Sequence, residues 1–417
     1  MRSSIITIGD ELLIGQVVNT NAAYISRQLN TIGIEVVRML TVGDDEQVMR
    51  SAFQENFSLF DLTIITGGLG PTHDDITKKV LCDFFQTEMI HSEEVIEDIR
   101  QLMQRRNLVW SAATETQALV PKTAKIIRNN NGTAPGFFFE QNNHFLVAMP
   151  GVPFEMEAMI QNFVLPFFEQ KSGNSSLWDK RIILHRTLNT TGIGEAVLFE
   201  KLGNLDELLG KVKLAFLPSP TGTKLRLTLI DSSRESAEQQ IKQAEENIRA
   251  KAGDYIYGSD NETMAEAIGI LLKEKQLTIS TAESCTGGYI ANQITNVSGS
   301  SVYFERGFVT YSNRSKSELL GISRELIERH GAVSKEVAEA MAAGVRTRTG
   351  TDIGLSTTGI AGPTGGTPEK PVGLVFIGYS DKNTTLALKF NFGDDRLRFK
   401  ERTAQAALNL LRKKLLT

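Results

Sequence analysis

Ser284 stands in the run Thr281-Ala282-Glu283-Ser284-Cys285-Thr286-Gly287-Gly288, where an apolar strand pattern gives way to a helical one. A turn of that kind exposes side chains at the carboxyl edge of a sheet and aims helix N–H groups into the same space. A hydroxyl placed there can attack a carbonyl while neighbouring amides hold the oxyanion, which makes Ser284 the candidate nucleophile. By spacing alone, a plain helix cap at Ser284 or Thr286 is the commoner outcome. Cys285 competes as nucleophile, although a free cysteine is more often a small buried apolar group. A serine also needs a base, and His330, the one histidine after residue 259, does not obviously belong to this region. The segment Gly307-Phe308-Val309-Thr310-Tyr311-Ser312-Asn313-Arg314-Ser315-Lys316 instead carries a strand into polar residues and a lysine. Partly desolvated beside Arg314, that lysine could lose its proton near neutral pH and activate Ser284; taken alone, it reads as a surface charge.

Two further segments suit a phosphate or a ribose. The loop Thr357-Thr358-Gly359-Ile360-Ala361-Gly362-Pro363-Thr364-Gly365-Gly366-Thr367 supplies backbone amides and hydroxyls but lacks the lysine of a GxxxxGK[ST] motif. Gly393-Asp394-Asp395-Arg396 sets a guanidinium just before the last helix, able to grip phosphate through two parallel N–H bonds, with a surface ion pair as the default. Near the other end of the chain, Thr66-Gly67-Gly68-Leu69-Gly70-Pro71-Thr72-His73-Asp74-Asp75 is again a strand-to-helix loop. Its glycines let backbone approach a phosphate. The paired carboxylates either hold a divalent cation across a pyrophosphate or cap the helix that follows, and spacing favours neither.

The elements that must position these groups follow from periodicity. Strand patterns at Ser3–Ile8, 34–42, 60–66 and 145–149 alternate with helical stripes, one with Ile25, Leu29 and Ile32 inward behind a possible Asn21 cap, one through Val80, Leu81 and Phe84, one capped by Ser92, and one opened by Pro153. This βαβ grammar predicts an α/β fold with a doubly wound, mostly parallel sheet over residues 1–170. The polar loop at 170–180 marks a boundary, and 171–258 reads as a small α+β domain. A third, α/β domain spans 259–417, with helices at 264–274, 289–295 and 335–347 and strands at 277–281, 304–311, 353–356 and 372–379. The length of 417 residues fits two to four folding units. Lys and Arg total 45 against 49 Asp and Glu, so no basic surplus awaits a phosphodiester backbone and nucleic acid is not expected as a partner. Two distant cysteines, Cys82 and Cys285, point to a reducing compartment and exclude a four-thiolate zinc site. The opening MRSSIITIGDELL is too short in its apolar run for a signal or a span, so a cytoplasmic protein without membrane contact is expected.

AESCTGG, ERGFVTYSNRSK, HGAVS, TTGIAGPTGG with KPVG, and GDDR, in that order, resemble the C-terminal domain of the CinA (competence/damage-inducible) family, whose stand-alone relatives are PncC-type nicotinamide mononucleotide deamidases. The resemblance implies hydrolysis of the nucleotide's carboxamide to nicotinate mononucleotide and ammonia, without a cofactor. It places the nucleophile on Ser284, the general base on Lys316 and the ring pocket beside the catalytic Tyr311. Substrate binding falls on Thr286, Gly287, Thr358, Gly359, Gly362 and Arg396, with Glu283 and Cys285 shaping the turn. Lys400 follows Arg396 where many relatives carry a second arginine.

Gly9-Asp10-Glu11-Leu12-Leu13-Ile14-Gly15, Asn19-Thr20-Asn21, Asn131-Gly132-Thr133-Ala134-Pro135-Gly136 and Pro150-Gly151-Val152-Pro153 resemble the family's N-terminal domain, which is similar to the MoaB/MogA molybdopterin-binding fold. Here the resemblance implies metal-dependent ADP-ribose pyrophosphatase activity. Asp10, Asp44, Asp74, Asp75 and Glu155 are the candidate ligands of a divalent metal (Mg, Mn or Co) with an accompanying potassium ion, and Gly68, Gly70 and Thr72 would meet phosphate. The GGLG loop departs from the GGTG of molybdopterin proteins, which argues against molybdopterin itself. A homodimer acting on small nucleotides is the implied assembly. Two other readings stand beside this one: a molybdopterin-binding protein of cofactor synthesis, and a non-enzymatic competence or recombination adaptor.

Overall fold

The computed structural model describes residues 1–72, 75–107, 109–110, 112–174 and 181–417, so Asp74 and His73 lie outside the described residues. The chain divides into two compact units, one of residues 1–184 with 229–239 and one of 185–228 with 240–417.

In the first unit a six-stranded sheet runs in the order Glu35–Val42, Arg2–Ile8, Leu62–Thr66, His144–Met149, Gly136–Gln141, Lys125–Ile127. The first four strands are parallel and the last two antiparallel. Side chains alternate between two cores: Ile5, Ile64 and Val147 pack with Ile25, Leu29 and Phe168, whereas Ile6, Ile65 and Leu146 pack with Val80, Leu81 and Ile99. Burial on both faces explains why these strands read as unbroken apolar runs. The expected caps were partly misplaced. Asn19, not Asn21, accepts from the Ala22 amide to start helix Thr20–Thr31, and Asn21, the second helical residue, donates from Nδ2 to the Gly151 carbonyl. Ser92 caps Glu93–Arg106 as expected. Strands 125–127 and 136–141 had no expectation attached, because one is three residues long and the other reads as a bare aromatic run.

The second unit carries a five-stranded sheet in the order Phe304–Val309, Ile279–Glu283, Ile353–Gly359, Leu374–Ser380, Thr385–Asn391, again parallel at first and antiparallel at the end. The chain goes left from Ile279–Glu283 and later returns to its right, so the carboxyl end of that strand is a topological switch point, where open α/β sheets leave a crevice. Helix Met264–Glu274 starts at a capping box formed by Thr263 and Glu266, and Lys335–Thr349 turns Val337 and Met341 inward as its spacing demands. The segment before residue 259 contributes strands Ile182–Thr190, Lys213–Ser219, Gly222–Asp231 and Ile256–Ser259 to a four-stranded sheet. Within the second unit Arg412 of helix Arg396–Leu416 donates to the Ile256 carbonyl (3.3 Å) and to that of Asp254. Among the described residues no helix is long and apolar enough to cross a membrane.

Candidate active site

The site grows out of the switch point. Glu283 pairs with Val309 across the parallel ladder, the Thr310 amide donates to the Glu283 carbonyl (2.7 Å), and the Ser284 amide donates to the Thr357 carbonyl (3.0 Å). Ser284 is thus held where three strands end together. The turn after it is possible because Gly287 and Gly288 take φ of 62° and 91°, where a Cβ would be strained. Beside it, Ser312 and Ser315 form a reciprocal cap that starts helix Asn313–Leu320. Side chains on a helix lean toward its N-terminus, so Lys316 reaches back over this cap to the strand end. Its Nζ donates to the Thr310 carbonyl (2.8 Å) and to Ser284 Oγ (3.1 Å). Ser284 and Lys316 are 8% and 1% exposed.

Burial holds the Lys316 amine below the usual lysine range, opposed only by the sulfur of Cys285. That opposition is weak, because burial also pushes the Cys285 thiol up to about 12 and leaves it uncharged near neutrality. The same burial removes Cys285 as the rival nucleophile: a thiol that does not ionise is a packing group. A buried lysine whose pKa is lowered, within hydrogen-bond reach of a serine hydroxyl, is placed where a general base must stand.

Glu283, expected to shape the turn and counted with the substrate groups, does only the former. Its buried carboxylate accepts from the Ile290 (3.1 Å) and Ala291 (2.8 Å) amides and pins the turn to the helix Tyr289–Thr295. Glu283→Gln leaves one of these buried amides without a good acceptor and is expected to destabilise the protein by about 1–3 kcal/mol. Urea unfolding of the variant checks this; an unchanged midpoint would contradict it. Thr286 is likewise internal, its hydroxyl 2.8 Å from that of Thr357. Thr358 donates its hydroxyl to the Ala332 carbonyl (2.7 Å) and is 1% exposed, so its side chain serves the packing of the HGAVS loop and not a ligand phosphate. Gly359 ends its strand where a Cβ would meet the Leu374 carbonyl.

Arg396 behaves differently. Through Nη1 it donates to the Gly362 carbonyl (2.8 Å) and through Nη2 to the Tyr311 hydroxyl (3.1 Å), joining the glycine loop to the segment that carries Lys316. Tyr311 is 63% exposed and accepts from this arginine, so it stands as a wall residue of the site. One helical turn beyond Arg396, Lys400 Nζ lies 3.6 Å from where a Cβ on Gly287 would stand. Arg396 and Lys400 therefore flank the serine turn with two cations at the N-terminal end of a 21-residue helix, a favourable place for an anion.

In the first unit a cavity of about 370 Å³ is lined by Glu11, Asp44, Gly68, Gly70, Asp75, Thr133 and Glu155, among others. Asp10 is not in that lining. It exchanges hydrogen bonds with Asp44, each carboxylate accepting the other's amide, and ties two strand-end loops together. Thr72 donates its amide (3.0 Å) and its hydroxyl to Asp75, which makes it a turn former and not a phosphate contact. Among the described residues no three ligand-type side chains gather closely enough to hold an ion by themselves. The donor set is nevertheless all oxygen, as hard divalent cations prefer, and such ions commonly take one or two carboxylates and complete their shell with substrate phosphates and water. Glu155 adds a sign of fit. Burial raises its pKa, with Asn129 donating to it (2.7 Å) and Arg106 opposing the shift only weakly, so its charge would be stabilised by a cation in the cavity.

Residues 261–415 match the family model described as the CinA C-terminal domain, 185–258 the damage-inducible protein CinA KH domain, and 4–170 a "Probable molybdopterin binding domain". A CinA-like protein of Chloroherpeton thalassium is 45% identical over 424 residues, covering 100% of this chain and 99% of the relative. The chain belongs to the CinA family. Another CinA-like protein, from Salinibacter ruber, is 42% identical over the full length of both chains. A crystal structure of a competence/damage inducible protein from Agrobacterium tumefaciens is 40% identical, covers 37% of this chain and 94% of its own, and has a TM-score of 0.36.

In this CinA-family chain, Lys400 replaces the second arginine of many relatives with a point charge that would still attract phosphate, and its i, i+4 spacing from Arg396 puts both on one helix face. One residue near the N-terminal site escaped sequence reasoning. Lys78, behind the glycine loop, is 8% exposed and burial brings its pKa down to about 8, with Asp75 opposing. Its signal is a lysine three residues after Asp75, a pattern that usually means a surface ion pair.

Proposed function

We propose that the chain hydrolyses the carboxamide of nicotinamide mononucleotide to nicotinate mononucleotide and ammonia at Ser284. The observation that carries this is the Lys316 amine, almost wholly excluded from water and 3.1 Å from Ser284 Oγ. As a neutral amine, Lys316 takes the hydroxyl proton while Ser284 Oγ bonds to the carboxamide carbon. The amides of Ser284, Gly287 and Tyr289 already donate to the Thr357, Ser284 and Thr286 carbonyls, and those of Ile290 and Ala291 to Glu283. The Thr286 amide, in the same turn, has no backbone acceptor among the described residues and is the candidate oxyanion donor. The ammonium of Lys316 then gives its proton to the departing nitrogen, the C–N bond breaks and ammonia leaves. A water, deprotonated by the same lysine, cleaves the resulting ester and restores Ser284. Arg396 and Lys400 supply charge for the nucleotide phosphate, and the cationic pyridinium makes the carbonyl carbon more electrophilic.

Purified full-length protein is expected to release ammonia and nicotinate mononucleotide in equal amounts; absence of both products under saturating substrate would reject the reading. The pH dependence has a fixed sign. Lys316 must be unprotonated, so kcat rises with pH through its lowered pKa and levels off below the titration of a free lysine. A rate that falls over this range would contradict the base assignment.

The first unit supports a second activity in the same way: cleavage of ADP-ribose to AMP and ribose 5-phosphate, on the strength of a cavity that joins a glycine loop to Asp44, Asp75 and Glu155. One or two of these carboxylates, with the substrate phosphates and water completing the shell, would hold a divalent cation, whose contribution is charge neutralisation across the diphosphate. Gly67 and Gly68, at φ of 109° and 65°, keep the loop backbone open to a phosphate.

A further inference from the structure

In the second unit a cavity of about 640 Å³ opens between the edge strand Thr385–Asn391, one face of helix Arg396–Leu416 and the loops 191–195 and 218–223. Neither Ser284, Lys316, Arg396 nor Lys400 lines it. Its volume is in the range of small-molecule sites. One wall is apolar: Leu388, Phe390 and Phe392 alternate onto one side of the edge strand, and the two phenyl rings stack with centroids 5.4 Å apart and planes 16° off parallel.

The facing wall adds hydrogen-bond donors to Ala406 and Leu410. Gln405 and Asn409, one turn apart on the helix, are each only 8% exposed. Gln405 Nε2 is buried and has no acceptor among the described residues, a costly condition for a donor that lines a cavity. Asn409 Oδ1 accepts from Arg412 (3.3 Å), which turns its Nδ2 toward Gly192, 3.0 Å from where a Cβ there would stand. Arg402 Nε donates to the Pro220 carbonyl (3.1 Å), fixing the guanidinium against the hairpin turn, and Lys413 lies further along the same helix face. Glu195 is the one carboxylate in the lining. A ligand complementary to this lining is flat and apolar over one part, rich in acceptors, and negatively charged at one end.

We propose that this cavity is a second small-molecule site, for a nucleoside monophosphate. The base would lie against Phe390 and Phe392 and present an acceptor to Gln405 Nε2, and the phosphate would meet Lys413, two turns further along the helix. The proposal is independent of the chemistry at Ser284.

Photolabelling of the full chain with 8-azido-AMP, followed by peptide mapping, tests it. Label is expected on peptides from 388–413 or 191–223, at least tenfold weaker there in Gln405→Leu and Phe392→Ala, and tenfold weaker with uncharged 8-azidoadenosine. Because a buried substitution can impair folding, the exposed Lys413→Gln serves as second variant and is expected to lower the same label severalfold. Label confined to peptides of the glycine loop of residues 66–75 or of the Ser284 turn would overturn the proposal. So would equal labelling by the uncharged probe, or labelling of the cavity unchanged in folded Gln405→Leu and Lys413→Gln.

Discussion

Lys316→Met is expected to lower kcat for ammonia release by roughly 10³-fold, about 4 kcal/mol of barrier, while nicotinamide mononucleotide binds with little change in affinity. Methionine keeps the length and apolar stem of the side chain, so the helix Asn313–Leu320 and its packing should persist. What disappears is the lone pair that takes the Ser284 proton. The phosphate contacts assigned to Arg396 and Lys400 are untouched, and for that reason binding and turnover should separate. The rise of rate with pH should vanish together with the amine. Steady-state ammonia release and equilibrium binding on the same preparation check both halves. Turnover like that of the wild type would remove Lys316 from the mechanism, and a parallel loss of binding would mean that its role is architectural.

The second large effect concerns metal. Treatment with a chelator is expected to abolish release of AMP and ribose 5-phosphate from ADP-ribose while ammonia release from nicotinamide mononucleotide stays within about twofold. The asymmetry follows from the donor sets. Asp44, Asp75 and Glu155 surround the N-terminal cavity. At the Ser284 site the buried carboxylate, Glu283, has its oxygens on two backbone amides and is not available to a cation. Loss of both activities, or of neither, would contradict the assignment of the cation to the first unit.

How much of this could be read from the chain depends on the range of the interaction concerned. Helices 264–274 and 289–295 were legible to the residue because caps, glycines and apolar spacing agree locally. Ser284 was legible as a residue at a strand-to-helix turn. Its pairing with Lys316 was not fixed by spacing, since it arises from the adjacency of two parallel strands and the direction of a helical side chain. Lys316 in an otherwise polar helix start looks like a surface charge; only the packed fold excludes water from it. Thr358, Asp10 and Thr72 failed in the opposite sense. Their hydroxyls and carboxylate suit a ligand by type, but nearby backbone groups and Asp75 use them first.

Everything in the deamidation account passes through one oxygen atom. The most direct measurement is ammonia release from nicotinamide mononucleotide by Ser284→Ala, compared with wild type at the same pH and with folding verified by thermal denaturation. The account requires a loss of roughly 10³-fold or more, because among the described residues Ser284 is the one side-chain hydroxyl hydrogen-bonded to Lys316 and the Cys285 thiol is un-ionised. An alanine variant that is folded and turns over at the wild-type rate would contradict it.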